Sequence, residues 1–345
     1  MKMTIRHELT STLIVTTVLI VCVSLIYYDL RDSSEITELN STEKQTIAFS
    51  DLQISPLPLN VSLDNKKVAL GERLFKDPGL SGDGSISCAH CHNLDTGGVD
   101  LLKHSRGIGG REGIINTPTV FNSGFNFRQF WNGRAESLED QIDEPLQNPS
   151  EMNATWQQVI TSISKDSYYR SDFSAIYSDG IQPKNVKDAI ATFERSLVTP
   201  NSRFDRFLRG DKSALSYKEQ AGYRLFKQLG CISCHQGINI GGNMYQKLGV
   251  MEDYFAARGH LTEADMGRYS VTKNEKDRHF FKVPSLRNVA LTPPYFHDGS
   301  AKKLEDAVKV MARFQLGEKV DDDDVSNIVA FLGSLTGEYL GKPLK

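Results

Sequence analysis

Two copies of one five-residue motif constrain the fold of this chain more than any other feature. The stretches "CAHCH" (88–92) and "CISCH" (231–235) both read Cys-x-x-Cys-His, and they lie 231 − 88 = 143 residues apart. Two cysteines at this spacing reach opposite edges of one porphyrin through thioether bonds, while the next imidazole faces the iron. The sequence therefore predicts two covalently bound haem c groups.

Each motif supplies a full set of attachment residues. The first haem would be held by Cys88 and Cys91 with His92 on iron, and the second by Cys231 and Cys234 with His235 on iron. Structural zinc is disfavoured, because its two half-sites normally lie much closer in sequence. A redox dithiol is also disfavoured, because it needs no following histidine.

The N-terminus predicts export from the cytoplasm. Residues 9–28 carry no charge and follow Lys2 and Arg6, and about 20 helical residues span a bilayer core. We therefore interpret residues 1–30 as an uncleaved signal anchor, with a cleaved signal peptide as the alternative. Residues 31–51 are polar and suit a tether. The expected location is the periplasm, with the chain tethered to the inner membrane.

The remaining chain is predicted to be mainly α-helical, with two cytochrome c-like haem domains at residues 52–214 and 215–345. Both haem motifs follow a shared Arg-Leu-Phe-Lys sequence, which indicates an internal repeat. The net charge of −3 comes without a basic block, so nucleic-acid binding has no support. The acidic run 321–324 suits a helix N-terminus better than a metal site.

Two longer segments carry a family resemblance. The stretches "NTPTVFNSGFNFRQFWNGRAESLEDQ" (116–141) and "VPSLRNVALTPPYFHDGSAKKLEDAVKVM" (283–311), together with the haem motifs, resemble the bacterial di-haem cytochrome c peroxidase family, which includes MauG-type enzymes. The resemblance covers roughly residues 55–340. It implies a first haem that reacts with hydrogen peroxide and a second haem that collects electrons from a small redox protein.

The resemblance also implies roles for individual residues. Met311 matches the distal ligand of the second haem, and a thioether ligand raises a haem's potential. Trp131 matches the tryptophan between the haems. Gln141 and Glu151 match the polar pair of the peroxide pocket, where a carboxylate can move a proton between the two oxygens. Without the resemblance, Met311 and Trp131 would be interpreted as packing residues, and Gln141 and Glu151 as surface residues.

A calcium site between the domains is implied by three further matches. Asn116 would bind through its side chain, and Thr292 and Pro294 through backbone carbonyls, which are suitable oxygen ligands for Ca²⁺. His297 matches a family histidine nearby, to which we assign a structural or interdomain role. From the residues alone, these segments read as turns and rigid loops.

One position departs from the pattern of the family's ligand-switching members. These enzymes place a distal histidine sixteen residues after the first proximal ligand, and here 92 + 16 = 108 is isoleucine. His104 lies four residues earlier in a glycine-rich loop and is the alternative ligand. We expect Ile108 to leave the first haem open and high-spin in the oxidised protein.

The expected function is reduction of hydrogen peroxide to water, with electrons from a small periplasmic cytochrome c or a cupredoxin. One alternative is a MauG-like oxidase that modifies tryptophan of a partner protein. Such enzymes use tyrosine where Met311 stands, so Met311 favours the peroxidase. Ile108 instead favours the MauG-like branch, which does not switch ligands. A second alternative is a purely electron-transferring di-haem cytochrome, which would need neither Gln141 nor Glu151. The resemblance further implies a homodimer, which is frequent in the family.

Overall fold

Helices dominate residues 53–345, the part of the chain that the computed structural model describes. The helices, in chain order, are α1 (Asn65–Lys76), α2 (Cys88–Cys91), α3 (Leu138–Gln147), α4 (Trp156–Ile163), α5 (Ser167–Ile176), α6 (Pro183–Ser196), α7 (Arg203–Leu208), α8 (Tyr217–Gln228), α9 (Tyr254–Arg258), α10 (Tyr269–Thr272), α11 (Leu304–Val310) and α12 (Asp322–Gly333). A π-helical segment, Met311–Leu316, continues directly from α11.

The strands are short and form two antiparallel pairs in the described residues. Strand β1 (Tyr245–Lys247) pairs with β2 (Phe280–Lys282), and β3 (Glu338–Tyr339) pairs with β4 (Lys342–Pro343). In the first pair Tyr245 lies opposite Lys282, which fixes the register of β2.

The two helices that precede the haem motifs make equivalent crossings. Gly71 of α1 lies against α6, where an added Cβ would be 2.0 Å from the carbonyl oxygen of Ala189. Gly222 of α8 lies against α12, where an added Cβ would be 1.9 Å from the carbonyl oxygen of Asn327. Each glycine stands directly before the shared x-Arg-Leu-Phe-Lys sequence, so the repeat seen in the sequence corresponds to a repeated helix crossing.

Replacing Gly222 with alanine is expected to destabilise the protein. The added methyl group meets backbone atoms, and overpacking of this kind typically costs about 1–3 kcal/mol. Gly333, at the end of α12, is the matched control, because an added Cβ there meets nothing within 4 Å. Gly333→Ala should leave the free energy of unfolding unchanged or raise it by up to about 1 kcal/mol. Denaturant unfolding of both variants is the measurement, and equal effects would contradict this account of the crossing.

Two hydrophobic clusters surround the haem motifs. The first is built mainly on α1, α3 and α6 and includes Phe75 and Ile108, with Cys88 packed against it. The second is built mainly on α8 and α12 and includes Phe226 and Phe331, with Cys231 packed against it. Chain segments cross between them, since Ile54 belongs to the second cluster while Tyr339 packs against the first. The boundary at 214/215 stays a prediction.

A second internal repeat relates the segments that follow the haem motifs. Residues 116–145 correspond to 282–311 at a constant offset of 304 − 138 = 166. Isolated β-bridges join Gln129 to Ala135 and Tyr295 to Ala301, and φ is positive at both Phe130 (66°) and Phe296 (70°). The repeat therefore pairs Trp131 with His297, Asn116 with Lys282, and Pro145 with Met311.

The repeated segments bind each other reciprocally. The backbone N–H of Asn116 donates to the carbonyl of His297 at 2.7 Å, and that of Lys282 donates to the carbonyl of Trp131 at 2.8 Å. The repeat pairs the two donors with each other and the two acceptors with each other. The repeated segments are therefore related here by an approximate twofold axis. This contact positions the residues of the candidate site.

The predicted anchor at 1–30 and tether at 31–51 lie outside the described residues. Within residues 53–345, no helix is both long and apolar enough to cross a membrane. The acidic run 321–324 forms the N-cap and first turn of α12, where the Asp321 side chain accepts the Asp324 N–H at 2.8 Å. This agrees with the expected helix N-terminus.

Candidate functional site

The first motif is a single helical turn that ends at its histidine. The His92 imidazole donates from Nδ1 to the carbonyl oxygen of Gly98 at 3.3 Å, which leaves Nε2 as the free ring nitrogen. Burial lowers the pKa of His92, partly opposed by the carbonyl of Gly98. Burial therefore favours the neutral imidazole, and the hydrogen bond to Gly98 orients it, as an iron ligand requires.

The motif thiols are unsuited to redox exchange. Burial raises the pKa of Cys88 to about 12 and that of both Cys91 and Cys231 to about 11. A reactive dithiol needs a depressed pKa, because the thiolate is the nucleophile. All four motif cysteines are free of disulfides, so they stay available for thioether bonds.

The second motif opens onto a cavity of about 250 Å³. Cys231, Cys234, His235 and Met311 all line it, together with Phe226 of the Arg-Leu-Phe-Lys sequence. The remaining walls are largely apolar, and none of the described residues that line the cavity is aspartate or glutamate.

His235 carries an unmet hydrogen-bonding capacity. Its Nδ1 is shielded from solvent and has no hydrogen-bond partner among the described residues. Burial lowers the pKa of His235 to about 4, and the nearby carbonyls of Ile240 and Pro284 oppose this shift. An imidazole that held iron through Nε2 would carry its proton on Nδ1. The thiols, the neutral imidazole and the apolar cavity fit a covalently attached haem.

Met311 enters this cavity from a break in regular helix. It is the first residue of the π-helical segment 311–316, and it packs with Trp131 against a cluster that contains Leu248, Phe281 and Phe314. Single π-helical turns occur often at functional sites. The structure thus brings Met311 and His235 to one cavity, although the residues between them in sequence number more than seventy.

Trp131 lies where the repeated segments meet. Its indole Nε1 donates to the carbonyl of Asn116 at 2.9 Å, and its ring meets that of His297 edge-on, with centroids 6.3 Å apart. It also lines the cavity of the second motif. These contacts hold the indole in one orientation.

Glu151 lies near the first motif, on the turn that follows α3. Its Oε1 accepts from Asn148 Nδ2 at 2.7 Å, and burial raises its pKa despite this bond. Its negative charge contributes to the raised pKa of Cys91, which places the carboxylate within electrostatic reach of that motif. Gln141 lies half-buried on α3.

The loop that contains Ile108 is docked onto the same turn. The Ile108 N–H donates to the carbonyl of Glu151 at 2.8 Å, and the Arg111 guanidinium donates to that of Pro149 at 2.6 Å. Gly107 packs so closely that an added Cβ would be 2.1 Å from the carbonyl oxygen of Ser150. Ile108 is buried in the first hydrophobic cluster. The loop therefore holds the backbone of the Glu151 turn in place, while the Ile108 side chain packs into the first hydrophobic cluster.

His104 and Pro145 bear on the sixth position of the first haem. The His104 Nδ1 lies 3.2 Å from the Glu112 carboxylate at the surface, so its ring is engaged by the loop itself. Pro145 of α3 occupies the position that Met311 holds in the second half, and its side chain has no donor atom for iron. The distal ligand remains a prediction, and both observations favour an open face.

The three residues of the predicted calcium site all line the cavity of the second motif. Asn116 is buried, and its Nδ2 donates to the carbonyls of Leu102 and Lys103 at 3.0 and 3.4 Å, which leaves Oδ1 as the unengaged side-chain atom. Thr292 donates its hydroxyl to the carbonyl of Val289. Oδ1 of Asn116 is the oxygen that the predicted site requires.

His297 belongs to a buried ion-pair network. Its Nε2 lies 2.7 Å from Asp265 Oδ1, and Arg258 bridges Asp265 and Asp298. These acidic and imidazole groups are close enough to hold a metal ion, but the Arg258 guanidinium already pairs with both carboxylates. His279 also joins this network, because its Nδ1 donates to the carbonyl of Asp265 at 2.7 Å.

Comparison with known proteins matches both halves of the chain. The family model of the di-haem cytochrome c peroxidases matches residues 65–213, and that of cytochrome c matches residues 219–336. Cytochrome c551 peroxidase of Nitrosomonas europaea is 47% identical over 280 residues, which cover 81% of this chain and 82% of that protein. The chain belongs to the di-haem cytochrome c peroxidase family. Its described part is thus mainly helical with two cytochrome c-like domains.

The chain is also similar to a longer peroxidase and to a solved MauG-like structure. Cytochrome c peroxidase Ccp of Escherichia coli strain K12 is 50% identical over 287 residues, or 83% of this chain, but the match spans only 61% of that longer protein. The solved structure of a MauG-like protein associated with microbial copper homeostasis has a TM-score of 0.72 at 27% identity, and covers 83% of this chain and 93% of that one.

Three buried charged residues near the site were not among the residues predicted from the sequence. Lys282 is enclosed in the cavity wall, and Glu194 is buried with an unpartnered Oε2 and a pKa raised to about 8 by burial. Asp265 is the third such residue; it is fully buried and lies 2.7 Å from the His297 imidazole. The constant offset of 166 between the repeated segments was a signal that pairs Lys282 with Asn116.

Proposed function

We propose that this protein reduces hydrogen peroxide to water, using electrons from a small cytochrome c or a cupredoxin in the periplasm. The balanced reaction takes one peroxide, two electrons and two protons to two molecules of water. The observation that carries the proposal is the half-buried Glu151 carboxyl beside the first haem motif. A pure electron carrier needs no such proton-transferring group.

Each haem, once attached, supplies an iron that exchanges single electrons. Glu151 would take a proton from the inner peroxide oxygen and return it to the outer one, and its raised pKa brings it closer to neutral pH for that task. Gln141 would orient the peroxide. Trp131, fixed by Asn116, would connect the two haem pockets, and the Met311 thioether would hold the potential of the second haem high.

Calcium is proposed at Asn116, Thr292 and Pro294. The support is that all three line the cavity of the second motif, as Trp131 does, and that Asn116 donates through Nδ2, which leaves its Oδ1 for a cation. A hard cation there would stabilise the contact between the repeated segments.

The location and assembly rest on the sequence and on the family. A periplasmic protein, tethered by residues 1–30 and able to form a homodimer, is the arrangement we propose. Covalent haem attachment at both motifs is compatible with an exported chain.

A MauG-like oxidation of a partner's tryptophan is the second candidate, because Ile108 replaces the switching histidine. Met311, where such enzymes have tyrosine, supports the peroxidase. Steady-state oxidation of several reduced small cytochromes and cupredoxins, with and without peroxide, separates these functions. Peroxide-dependent donor oxidation supports the peroxidase, and its absence with every donor would overturn it.

The first haem is expected to be high-spin in the air-oxidised protein and to react with peroxide without prior reduction. The reason is that Ile108 and Pro145 offer no lone pair and His104 is held by Glu112. Electron paramagnetic resonance of the oxidised protein should show one high-spin and one low-spin haem. Ile108→His should convert the high-spin signal to low-spin.

The outcome that contradicts this expectation is specific. Two low-spin signals in the wild-type protein, one of which becomes high-spin in His104→Ala, would make His104 the distal ligand. The docked loop would then have to refold to bring that imidazole inward.

A further inference from the structure

Lys282 places a positive charge in the wall of the second cavity without a counter-charge. The residue is only 7% exposed, and burial lowers the pKa of its ammonium group to about 8. Its side chain forms no salt bridge or hydrogen bond with any described residue. An unpaired buried charge is strongly destabilising, so proteins normally pair such a group or place a ligand against it.

The other cations of the cavity differ from Lys282. Arg287 is fully buried, but it is paired with Asp205 at 2.7 Å and donates to the carbonyls of Ile238 and Ser55. Lys247 lies at the rim and is exposed. Because no described residue lining the cavity is acidic, the cavity is electropositive and suited to an apolar ligand that carries negative groups.

The backbone fixes where the Lys282 side chain starts. It is the last residue of β2, and its N–H donates to the Trp131 carbonyl while Tyr245 lies opposite on β1. The charge is thus built into the wall next to the indole that the two halves share. Its counterpart in the first half, Asn116, is neutral, so only the second half of the repeat carries a charge at that position.

We propose that Lys282 pairs with a carboxylate side chain of the second haem and thereby raises that haem's reduction potential. The inference rests on the proposed function only for the presence of a haem at Cys231, Cys234 and His235. A haem brings two carboxylates into a cavity that supplies none. Pairing one of them with Lys282 removes a negative charge that would otherwise stabilise ferric iron. Lys282 would thus act on the iron's potential through the haem carboxylate with which it pairs.

The test is spectroelectrochemical titration of the full-length holoprotein and three variants. Lys282→Met keeps the volume but removes the charge, Lys282→Arg keeps the charge, and Lys247→Met removes the same charge from the exposed rim. In Lys282→Met, the ratio of reduced to oxidised second haem at a fixed potential should fall about tenfold, which is about 59 mV for a one-electron couple. Lys282→Arg should stay within about twofold of wild type, because it keeps the charge. Lys247→Met should do the same, because solvent screens the charge at the rim.

Several results would overturn the inference. An unchanged potential in Lys282→Met, with both haems attached and the methionine-ligated spectrum intact, would exclude pairing. So would an equal shift in Lys247→Met. A packing role predicts the reverse pattern, in which Met is tolerated and Arg is not. If Lys282→Met fails to retain haem, Lys282→Gln gives the same comparison. A wild-type protein without a second haem would instead refute the proposed function.

Discussion

Replacing Glu151 with glutamine is expected to lower peroxide turnover by about 10²–10⁴-fold, the range that general acid–base groups typically contribute. Glutamine keeps the shape of the side chain and can still bond to Asn148, but it cannot accept and return a proton. Both haems should remain attached, since Glu151 does not belong to either motif. Steady-state peroxide consumption with a reduced cytochrome, beside the absorption spectrum of each haem, is the measurement.

Glu136→Gln is the matched control. Its carboxylate lies on the surface, where it pairs with Arg128 and is 73% exposed. The same charge is lost, but no group near the first motif changes, so turnover should stay within about twofold of wild type because exposed ion pairs contribute little. Undiminished turnover in Glu151→Gln would remove this residue from the mechanism.

Replacing Met311 with histidine is expected to lower the potential of the second haem by on the order of a few hundred millivolts, within the about 0.8 V that axial ligands span. Imidazole stabilises ferric iron more than a thioether does. The first haem should barely change. Redox titration of the two haems, followed at their separate absorption bands, checks this.

Met251→His controls for the introduction of a histidine. Met251 also follows the second motif, but it is 62% exposed. Its replacement should leave both potentials unchanged. An unchanged second potential in Met311→His would mean that another residue holds the sixth position.

The local features of the fold were largely predictable. Helix α6 (Pro183–Ser196) carries apolar residues at helical spacing, and the acidic run begins α12 as predicted. Both follow from patterns within a few residues, namely apolar spacing and charge at a helix end. The haem motifs were equally visible, because their chemistry requires adjacent residues.

The assembly of the site was not predictable from such patterns. Met311 reaches the cavity through a π-helical turn, and nothing in the spacing of its neighbours indicates that turn. Lys282 looks like an ordinary strand residue until β2 is placed against Trp131. Both depend on contacts between segments far apart in sequence, which local propensity does not encode.

The loop around Ile108 was only partly predictable from the sequence. The sequence revealed the missing histidine, but not that the loop docks through backbone bonds onto the turn of Glu151. Glycine is needed at position 107 because the carbonyl of Ser150 leaves no room for a side chain. Ile108 and Glu151, the residue that we propose transfers protons, are therefore parts of one local structure.

The stoichiometry of peroxide-dependent donor oxidation tests the central claim most directly. The full-length holoprotein, with two haems per chain, is mixed with a reduced small cytochrome c and limiting hydrogen peroxide, without pre-reduction. The account predicts two donor electrons consumed for each peroxide, with turnover from the first cycle. No consumption with any cytochrome or cupredoxin, together with peroxide-dependent oxidation of tryptophan in a partner protein, would contradict it.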